Sequence, residues 1–385
     1  MRLIFLDCEV YPNYFLVVFY DPYNKEYLTF KLWTVNGVTQ INELDKLKNY
    51  LIKEKDTYFV GYNSFYDMNI LTYITKRPSI NNEGIKAFND EYIGAEWPIY
   101  RESEFCNKTI DLMSINNFGP RSAKTTSLKK LEFSLRKKSI KDLPYHFNDL
   151  ILTEKQDEEI VKYCKYDVET TVDVYKFTKE LLKLRIDFGD FNKIDLLNST
   201  EPDIAKKYMV KQLSYDLNIS ETDVKKLKTY NEKIAISEVI LPYINKYKFV
   251  NPVLKSALDF YKNITLDASI KSNIDSNKKL INLKNQISKI IPYYDGEIVY
   301  AAGGLHFSTK PGIYQSSEEY IILDWDKVSY YPHFAMKHGR VPAHLGESYG
   351  KFLLNTFNER KKYSKKTHPI INHCLKIILN SSYGS

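Results

Sequence analysis

The chain begins with the sequence LIFLDCEV at Leu3–Val10, an apolar run that two acids interrupt. Side chains alternate between the two faces of a β-strand, so Asp7 and Glu9 leave this strand on the same face. Similar apolar runs follow at Tyr14–Tyr20 and Tyr27–Trp33, with turn residues between them. The pattern predicts a three-stranded β-meander that carries two carboxylates on its first strand.

Strands and helices alternate beyond this meander, which predicts a mixed α/β (α+β) fold. A capping box at Thr153–Gln156 opens a long helix that we expect to reach about Lys183, with a break near Tyr166. Residues 200–290 are rich in lysine and mostly helical in pattern. The other predicted elements are strands at Thr57–Tyr62, Thr109–Ile115, Gly296–Ala302 and Glu319–Asp326, and helices at Ile41–Lys53, Phe65–Ile74, Ser127–Leu135 and Leu345–Leu379.

Composition excludes several classes of protein. With 385 residues, 43% hydrophobic and 27% charged, the chain fits a soluble protein of two or three domains. No apolar run reaches the length of a membrane span and no signal peptide is present, so we expect no membrane partner and a cytoplasmic location. The four cysteines lie far apart, which predicts small buried thiols rather than disulfides or a zinc site.

Charge and aromatic content fit a nucleic-acid partner without requiring one. The net charge of +7 permits a partner that bears phosphates. The 32 tyrosines include side chains able to stack on bases, but core packing or an AT-rich genome explains their number equally well.

Two later segments place an acid near polar and aromatic residues. In Gly61–Asp67, GYNSFYD, the acid lies where a strand passes into a helix, and Asn63-Ser64 is a plausible cap for that helix. In YCKYD, the spacing of four puts Tyr163 and Asp167 on one helix face. Phosphodiester hydrolysis needs an activated water and a stabilised leaving group, which two divalent ions roughly 3.5–4 Å apart provide when carboxylates hold them. Each acidic segment alone also fits an ordinary solvated strand face, helix N-terminus or exposed helix charge.

As an ordered set, these segments resemble the three exonuclease motifs of proofreading DNA polymerases, D-x-E, N-x-x-Y-D and Y-x-x-x-D. The resemblance is to the DEDDy group of 3′–5′ exonucleases, whose fold is ribonuclease-H-like. It implies that Asp7, Glu9 and Asp167 hold the metal that carries the attacking water. It also implies that Asp7 bridges to a second metal, which Asp67 supports, and that the two ions of this site are Mg²⁺ or Mn²⁺.

The same resemblance implies roles for three neighbouring residues. Tyr163 would orient the attacking water through its hydroxyl. Asn63 and Phe65 would help to hold the 3′-terminal nucleotide. DNA is therefore the expected partner, held by phosphate contacts that weaken as salt rises.

A further motif lies at residues 321–332, IILDWDKVSYYP, where an apolar strand ends in acids. The string D-x-x-S-x-Y-P resembles motif A of family B DNA polymerases. The resemblance implies that Asp326 binds both catalytic ions and that the Ser329 and Tyr330 region offers backbone N–H groups to the triphosphate of a dNTP. Tyr331 would pack beneath the incoming sugar. Asp324 lies on the same strand face and is a rival ligand, although the S-x-Y-P register favours Asp326.

The segment Lys376–Gly384, KIILNSSYG, resembles motif B of the same family, K-x-x-x-N-S-x-Y-G. On a helix, Lys376, Asn380 and Tyr383 fall on one face. The resemblance implies that Lys376 neutralises triphosphate charge and that Tyr383 contacts the nascent base pair. In the basic run before this motif, Arg360 and a nearby lysine would grip the dNTP phosphates, unless that run is simply a solvated helix face.

The resemblance is incomplete downstream, because no D-T-D string (motif C) follows motif B. We therefore expect the N-terminal part of a phage-type family B DNA polymerase that is complete for proofreading. Nucleotidyl transfer would then need a second polypeptide that carries motif C and the thumb; a split gene and a simple truncation are both open. The rival interpretations are a stand-alone DEDDy exonuclease with a degenerate appendage and a non-catalytic DNA-binding polymerase subunit.

The motifs divide the chain into four expected parts. These are a 3′–5′ exonuclease domain at 1–190, a helical connecting region at 191–295, a partial palm at 296–345 and truncated fingers helices at 346–385. Within the palm, Tyr300–His306 loosely resembles the family's Y-x-G-G linker motif. The expected partners are DNA and dNTPs, in the cytoplasm of a host cell if the source is a virus.

Overall fold

The structure, a computed structural model, describes most of the chain. The described residues are 1–95, 99–116, 126–227, 233–235, 249–263, 265–267, 288–301, 304–325, 330–338, 341–342 and 344–382. The chain divides into two compact units, one of residues 1–221, 331–336 and 351–385 and the other of residues 222–330 and 337–350.

A six-stranded sheet forms the centre of the first unit. Its strands are β1 (Leu3–Tyr11), β2 (Tyr14–Asp21), β3 (Glu26–Val35), β4 (Val38–Asn42), β5 (Tyr58–Gly61) and β6 (Lys108–Asp111), in the spatial order β4-β3-β2-β1-β5-β6. The first four pair antiparallel, whereas β5 pairs parallel with β1 and with β6. The carboxyl ends of β1, β5 and β6 therefore lie at one edge of the sheet, which is where ligands commonly bind in α/β folds.

Helices cover both faces of this sheet because its strands are apolar on both sides. One face packs against α1 (Leu44–Lys53), α2 (Ser64–Thr75) and α3 (Asn82–Gly94). The other face packs against α4 (Leu112–Ile115) and α6 (Glu154–Asn192), and α5 (Leu128–Ser134) packs on α6. The predicted meander and the predicted helices that correspond to α1, α2 and α5 are thus confirmed, with small shifts at their ends.

Two predictions in this unit are wrong in detail. The long helix α6 neither breaks near Tyr166 nor ends at Lys183, because its buried face continues without a proline to its last turns. The strand predicted at Thr109–Ile115 stops at Asp111. The Asp111 carboxylate accepts hydrogen bonds from the first backbone N–H groups of α4 and so turns the chain into a helix.

The strand β4 was not predicted, although a local signal for it exists. Asn36 and Gly37 both adopt positive φ, at 49° and 77°. Two residues with positive φ form the tight turn that best matches the twist of a β-hairpin, and Asn-Gly is the sequence that most favours this turn. The dipeptide therefore explains why β3 and β4 pair.

The remaining helices are α7 (Glu201–Leu217), α8 (Glu221–Lys226), α9 (Pro252–Lys262), α10 (Tyr330–His338), α11 (Gly346–Lys362) and α12 (Pro369–Ser381). Within the first unit, α12 packs against α6 and α7 and buries Leu375 and Ile378. The single helical region predicted at Leu345–Leu379 is two helices, because Pro369 cannot continue a preceding helix but suits the first turn of a new one.

The described residues of the second unit form five short strands. They are β7 (Lys233–Ala235), which pairs with β8 (Thr265–Asp267), and a meander of β9 (Lys289–Tyr293), β10 (Gly296–Ala301) and β11 (Gly304–Thr309). The strand predicted at Gly296–Ala302 is confirmed as β10. The strand predicted at Glu319–Asp326 is not formed over its described part, residues 319–325. A strand needs a neighbour for its backbone hydrogen bonds, and none of the described residues pairs with this segment.

Candidate metal centre at the carboxyl ends of the parallel strands

Two acids of the candidate centre come from β1. Leu3 and Phe5 pack into the core on the α6 side of the sheet, and Asp7 and Glu9 continue the same face of the strand. The parallel pairing of β1 with β5 extends only as far as Phe5. Both acids therefore lie beyond the last residue of β1 that pairs with β5. They are partly buried, at the opening between β1 and β5.

A third acid, Asp67, lies in the first turn of α2, shortly after β5 ends. It is only 2% exposed, and its Oδ1 accepts a hydrogen bond from the backbone N–H of Cys8 at 3.0 Å. Gly61 permits this close approach, because a Cβ at that position would lie 2.8 Å from Ser64 Cβ and 3.6 Å from Asp67 Oδ2. A glycine at the end of β5 thus lets α2 bring its acid to the two acids of β1.

The residues that begin α2 are arranged for contact with something outside the helix. Asn63 has a left-handed backbone, with φ 63°, which few residues other than glycine adopt. Its exposed side chain makes no capping hydrogen bond, contrary to the predicted cap, and Asp111 instead accepts from the Ser64 N–H at 3.2 Å. Phe65 is partly buried, with its ring 5.6 Å from that of Phe105. Backbone strain of this kind concentrates at functional sites.

Asp111, at the end of β6, is an acid that the sequence analysis did not single out. It is 2% exposed and accepts backbone hydrogen bonds at the start of both α2 and α4. Its negative charge contributes to raising the pKa of Asp67. Asp111 therefore holds the α2 N-terminus in place. An acid that ends a short apolar run is the sequence signal by which it could have been found.

The fourth predicted ligand comes from α6, which packs on β1 and β2. Tyr163 and Asp167 lie on one face of this helix, and the Tyr163 hydroxyl donates a hydrogen bond to the Asp167 carboxylate. Cys164 is fully buried, and its Sγ lies 3.3 Å from Asp7 Oδ2. The helix α6 therefore meets β1 at the acids themselves.

The four carboxylates perturb one another. Burial, followed by the negative charges of its three acidic neighbours, raises the pKa of Asp7 well above its ordinary value. Burial, followed by the charges of Asp167 and Asp67, raises the pKa of Glu9 to about 8. Burial also raises the pKa of Asp67 to about 8 and that of Asp167 to about 7. Clustered carboxylates with pKa values this far from normal are typical of functional sites.

The donor set fits a divalent cation that prefers oxygen ligands. A carboxylate oxygen of Asp7 and one of Glu9 lie within 4.8 Å of each other and of the Cys164 Sγ, and this thiol donates to Asp7 Oδ2. Burial raises the pKa values of these carboxylates most, and the charges of their neighbours raise those of Asp7 and Glu9 further. A bound positive charge would favour the ionised carboxylates. Carboxylate oxygens suit Mg²⁺ and Mn²⁺. The structure thus brings Asp67 and Asp167 close enough to Asp7 and Glu9 for their charges to raise the pKa values of both, from three elements far apart in the sequence.

Lysines of the α5 region lie beside these acids, and the sequence analysis did not identify them. The positive charges of Lys129 and Lys137 partly oppose the rise in the pKa of Asp167 that burial causes, and that of Lys129 partly opposes the rise in the pKa of Glu9. Lys129 Nζ also pairs with Asp142 at 2.6 Å. Positive charge next to the acidic centre favours the approach of an anionic phosphodiester.

The residues predicted for dNTP binding are described only in part. Asp326, Ser329, Gly303 and Tyr383 lie outside the described residues. Tyr330 and Tyr331 begin α10, and Asp324 lies in the exposed segment before it. Their predicted roles in motif A and in the linker motif stay predictions.

The described part of motif B lies on α12. Lys376 and Asn380 are exposed and four residues apart, hence on one helix face. Lys376 lines a cavity of about 430 Å³ together with Lys365, His373 and residues of α6. Arg360, near the end of α11, is partly buried, and burial lowers the pKa of its guanidinium.

The similarity of this chain to known proteins is distant. No protein-family model and no curated protein sequence matches the chain. Among solved structures, the chain is similar to the family B DNA polymerase from the hyperthermophilic archaeon Pyrobaculum calidifontis, with 12% sequence identity and a TM-score of 0.42. The match covers 100% of this chain and 46% of that one, so the chain spans about half the length of that polymerase. No helix among the described residues is long and apolar enough to cross a membrane.

Proposed function

We propose that this chain is a 3′–5′ exonuclease that shortens DNA from a single-stranded 3′ end with the help of two divalent ions. The observation that carries the proposal is the convergence of Asp7, Glu9, Asp67 and Asp167 at the carboxyl ends of β1 and β5. The order of the three motifs along the chain supports it, and the mixed sheet with helices on both faces supports a ribonuclease-H-like domain.

Each residue of the centre has a distinct role in this proposal. Asp7, Glu9 and Asp167 would hold one Mg²⁺ or Mn²⁺ ion, and Asp7 and Asp67 the second. When bound, such ions activate a water and stabilise the leaving oxygen. Tyr163 orients the attacking water, because its hydroxyl already lies at the Asp167 carboxylate.

The substrate is held at the start of α2. Asn63 is exposed there on a backbone held in an unusual conformation, and Phe65 presents a partly buried ring. An amide and an aromatic ring together can bond to and stack on a terminal nucleotide. The N-terminal end of a helix also favours the negative charge of a phosphate.

A nuclease assay with matched variants tests this proposal. The purified chain is incubated with single-stranded DNA labelled at its 5′ end and Mg²⁺, and we expect progressive shortening. Asp7→Ala and Asp67→Asn should abolish it, whereas Asp56→Asn, which neutralises a carboxylate 82% exposed on the surface, should not. The proposal fails if the wild type does not shorten the DNA, or if Asp7→Ala shortens it at the wild-type rate.

We further propose that the chain is part of a phage-type family B DNA polymerase, with residues 296–345 as a partial palm and residues 346–385 as fingers helices. Support comes from the two motif strings and from the exposure of Lys376 and Asn380 on one face of α12. Asp326 would be the ligand that these strings supply for the catalytic ions, and the motif C aspartate of the family is not among residues 1–385. The exonuclease would proofread what the polymerase adds.

Primer extension separates this second proposal from its rivals. Residues 1–385 should not extend a primer with Mg²⁺ and dNTPs, yet dNTPs should protect them in thermal denaturation, and Lys376→Ala should remove that protection. Extension by these residues would show that the motif C aspartate is not needed. Absence of dNTP protection would favour a stand-alone exonuclease, and absence of nuclease activity as well would favour a non-catalytic DNA-binding subunit.

A further inference from the structure

We propose that Cys164 is a positioning residue for the metal centre, whose thiol orients the Asp7 carboxylate so that it can bridge two ions. The inference rests on the proposed function and concerns a residue that the motif resemblance leaves without a role. In the string YCKYD, the motif specifies Tyr163 and Asp167 but not the three positions between them, of which Cys164 is the first.

The geometry around Cys164 identifies what its thiol does. Its Sγ lies 3.3 Å from Asp7 Oδ2 and 3.4 Å from the backbone carbonyl oxygen of Asp7. Both atoms are acceptors, so the thiol can only act as the donor. The side chain is fully buried, which excludes water as a competing partner. A single S–H group therefore holds the side chain and the backbone of one residue together.

The position of Asp7 explains why it needs such a restraint. It lies among three other carboxylates, whose negative charges repel it. Asp67, by comparison, accepts a backbone hydrogen bond from Cys8, and Asp167 accepts one from the Tyr163 hydroxyl. The thiol is the donor that the structure provides to the Asp7 side chain among the described residues.

The contact between Cys164 and Asp7 Oδ2 affects how Asp7 can bind metal. With Oδ2 held by Cys164, the Asp7 carboxylate is fixed in one orientation before any ion binds. Groups that orient a metal ligand by hydrogen bonding typically change metal affinity or activity by about 10–100-fold when removed. Because α6 carries both Cys164 and Asp167, the same helix that supplies one ligand also orients another.

Direct measurement of Mn²⁺ binding, by the loss of the free-ion electron paramagnetic resonance signal, tests the inference without relying on catalysis. Cys164→Ala removes the donor, and we expect it to weaken Mn²⁺ binding by about tenfold or more. Cys164→Ser restores a donor on a smaller side chain and should bring binding back to within about threefold of wild type. Cys374→Ala is the matched control, because it removes another fully buried thiol from a helix, and it should leave binding unchanged.

Nuclease assays add a second readout. In Cys164→Ala, the Mg²⁺ concentration for half-maximal rate should rise, while the rate at saturating Mg²⁺ recovers most of its wild-type value. Wild-type Mn²⁺ affinity in Cys164→Ala would overturn the inference, as would equal losses in Cys164→Ala and Cys164→Ser when circular dichroism shows both to be folded. Failure of the wild type to bind Mn²⁺ through Asp7 would instead overturn the proposed function itself, and this inference with it.

Discussion

Replacement of Glu9 by glutamine should make the metal-free protein more stable at alkaline pH. The pKa of Glu9 is raised from 4.5 to about 8, first by burial and then by the charges of Asp167 and Asp67. An acid whose pKa is raised in the folded protein makes its full contribution to folding stability below about pH 4.5, its ordinary pKa. That contribution is lost as pH rises toward 8, because the folded protein must then hold a buried charge.

The size of the effect follows from the shift. Each pKa unit corresponds to about 1.4 kcal/mol, so a rise from 4.5 to about 8 corresponds to at most about 5 kcal/mol. Glu9 is partly exposed and shares its titration with neighbouring acids, which reduces the expected effect to about 2 kcal/mol. At pH 5 the folded wild type keeps Glu9 neutral, and the two proteins should differ little.

Urea denaturation at pH 5 and pH 8, with EDTA or with Mg²⁺, measures this prediction. In EDTA at pH 8, Glu9→Gln should have the higher free energy of unfolding, whereas Mg²⁺ should stabilise the wild type more strongly than the variant. Glu158→Gln, which changes an exposed acid of α6, is the control and should stay within about 0.5 kcal/mol of wild type. If Glu9→Gln is no more stable than wild type in EDTA at pH 8, the reasoning about mutual repulsion is refuted.

Three further predictions follow from the same centre. Gly61→Ala should destabilise the protein by about 1–3 kcal/mol and remove nuclease activity, because its Cβ would lie 2.8 Å from Ser64 Cβ. Gly94→Ala is the control, because its Cβ would have nothing within 4 Å. Thermal denaturation and the nuclease assay should show that this variant keeps both stability and activity. Tyr163→Phe should lower the nuclease rate roughly 100-fold while leaving Mn²⁺ binding intact, and a loss of binding in this variant would argue that the hydroxyl orients ligands rather than water. At low Mg²⁺, nuclease activity should rise with pH up to about 8, because Glu9 and Asp67 must lose protons before they bind metal. Higher Mg²⁺ should move the midpoint of this pH–activity curve to lower pH. A midpoint that does not depend on Mg²⁺ would contradict competition between protons and metal.

The elements of the first unit are largely predictable from the sequence because their signals are local. Alternation of apolar residues identifies β1–β3, and the capping box at Thr153–Gln156 locates the start of α6. The Asn36-Gly37 turn carries an equally local signal for β4. Helix α6 is longer than predicted because the packing of its buried face on the sheet outweighs weak local propensity.

Contacts between distant residues are what the sequence could not predict. The motif spacing identifies Asp7, Glu9, Asp67 and Asp167, but not that Gly61 and Asp111 place α2, nor that Cys164 contacts Asp7. These roles depend on which strands become neighbours, as the order of β1, β5 and β6 illustrates. The same dependence explains why residues 319–325 do not form the predicted strand. Their apolar pattern suits a strand, but no described strand pairs with them.

The most direct test of the proposed exonuclease compares the ends of its substrate. Single-stranded DNA labelled at its 3′-terminal nucleotide is mixed with the chain and Mg²⁺ and sampled from the first turnover, beside the same strand labelled at the 5′ end and a closed circular strand. The proposed site predicts that the 3′ label is released first as a mononucleotide, that the 5′ label stays on a shrinking strand, and that the circle is not cut. Cleavage of the circle at a comparable rate, or early release of the 5′ label, would contradict the proposal that these four acids remove nucleotides from a 3′ end.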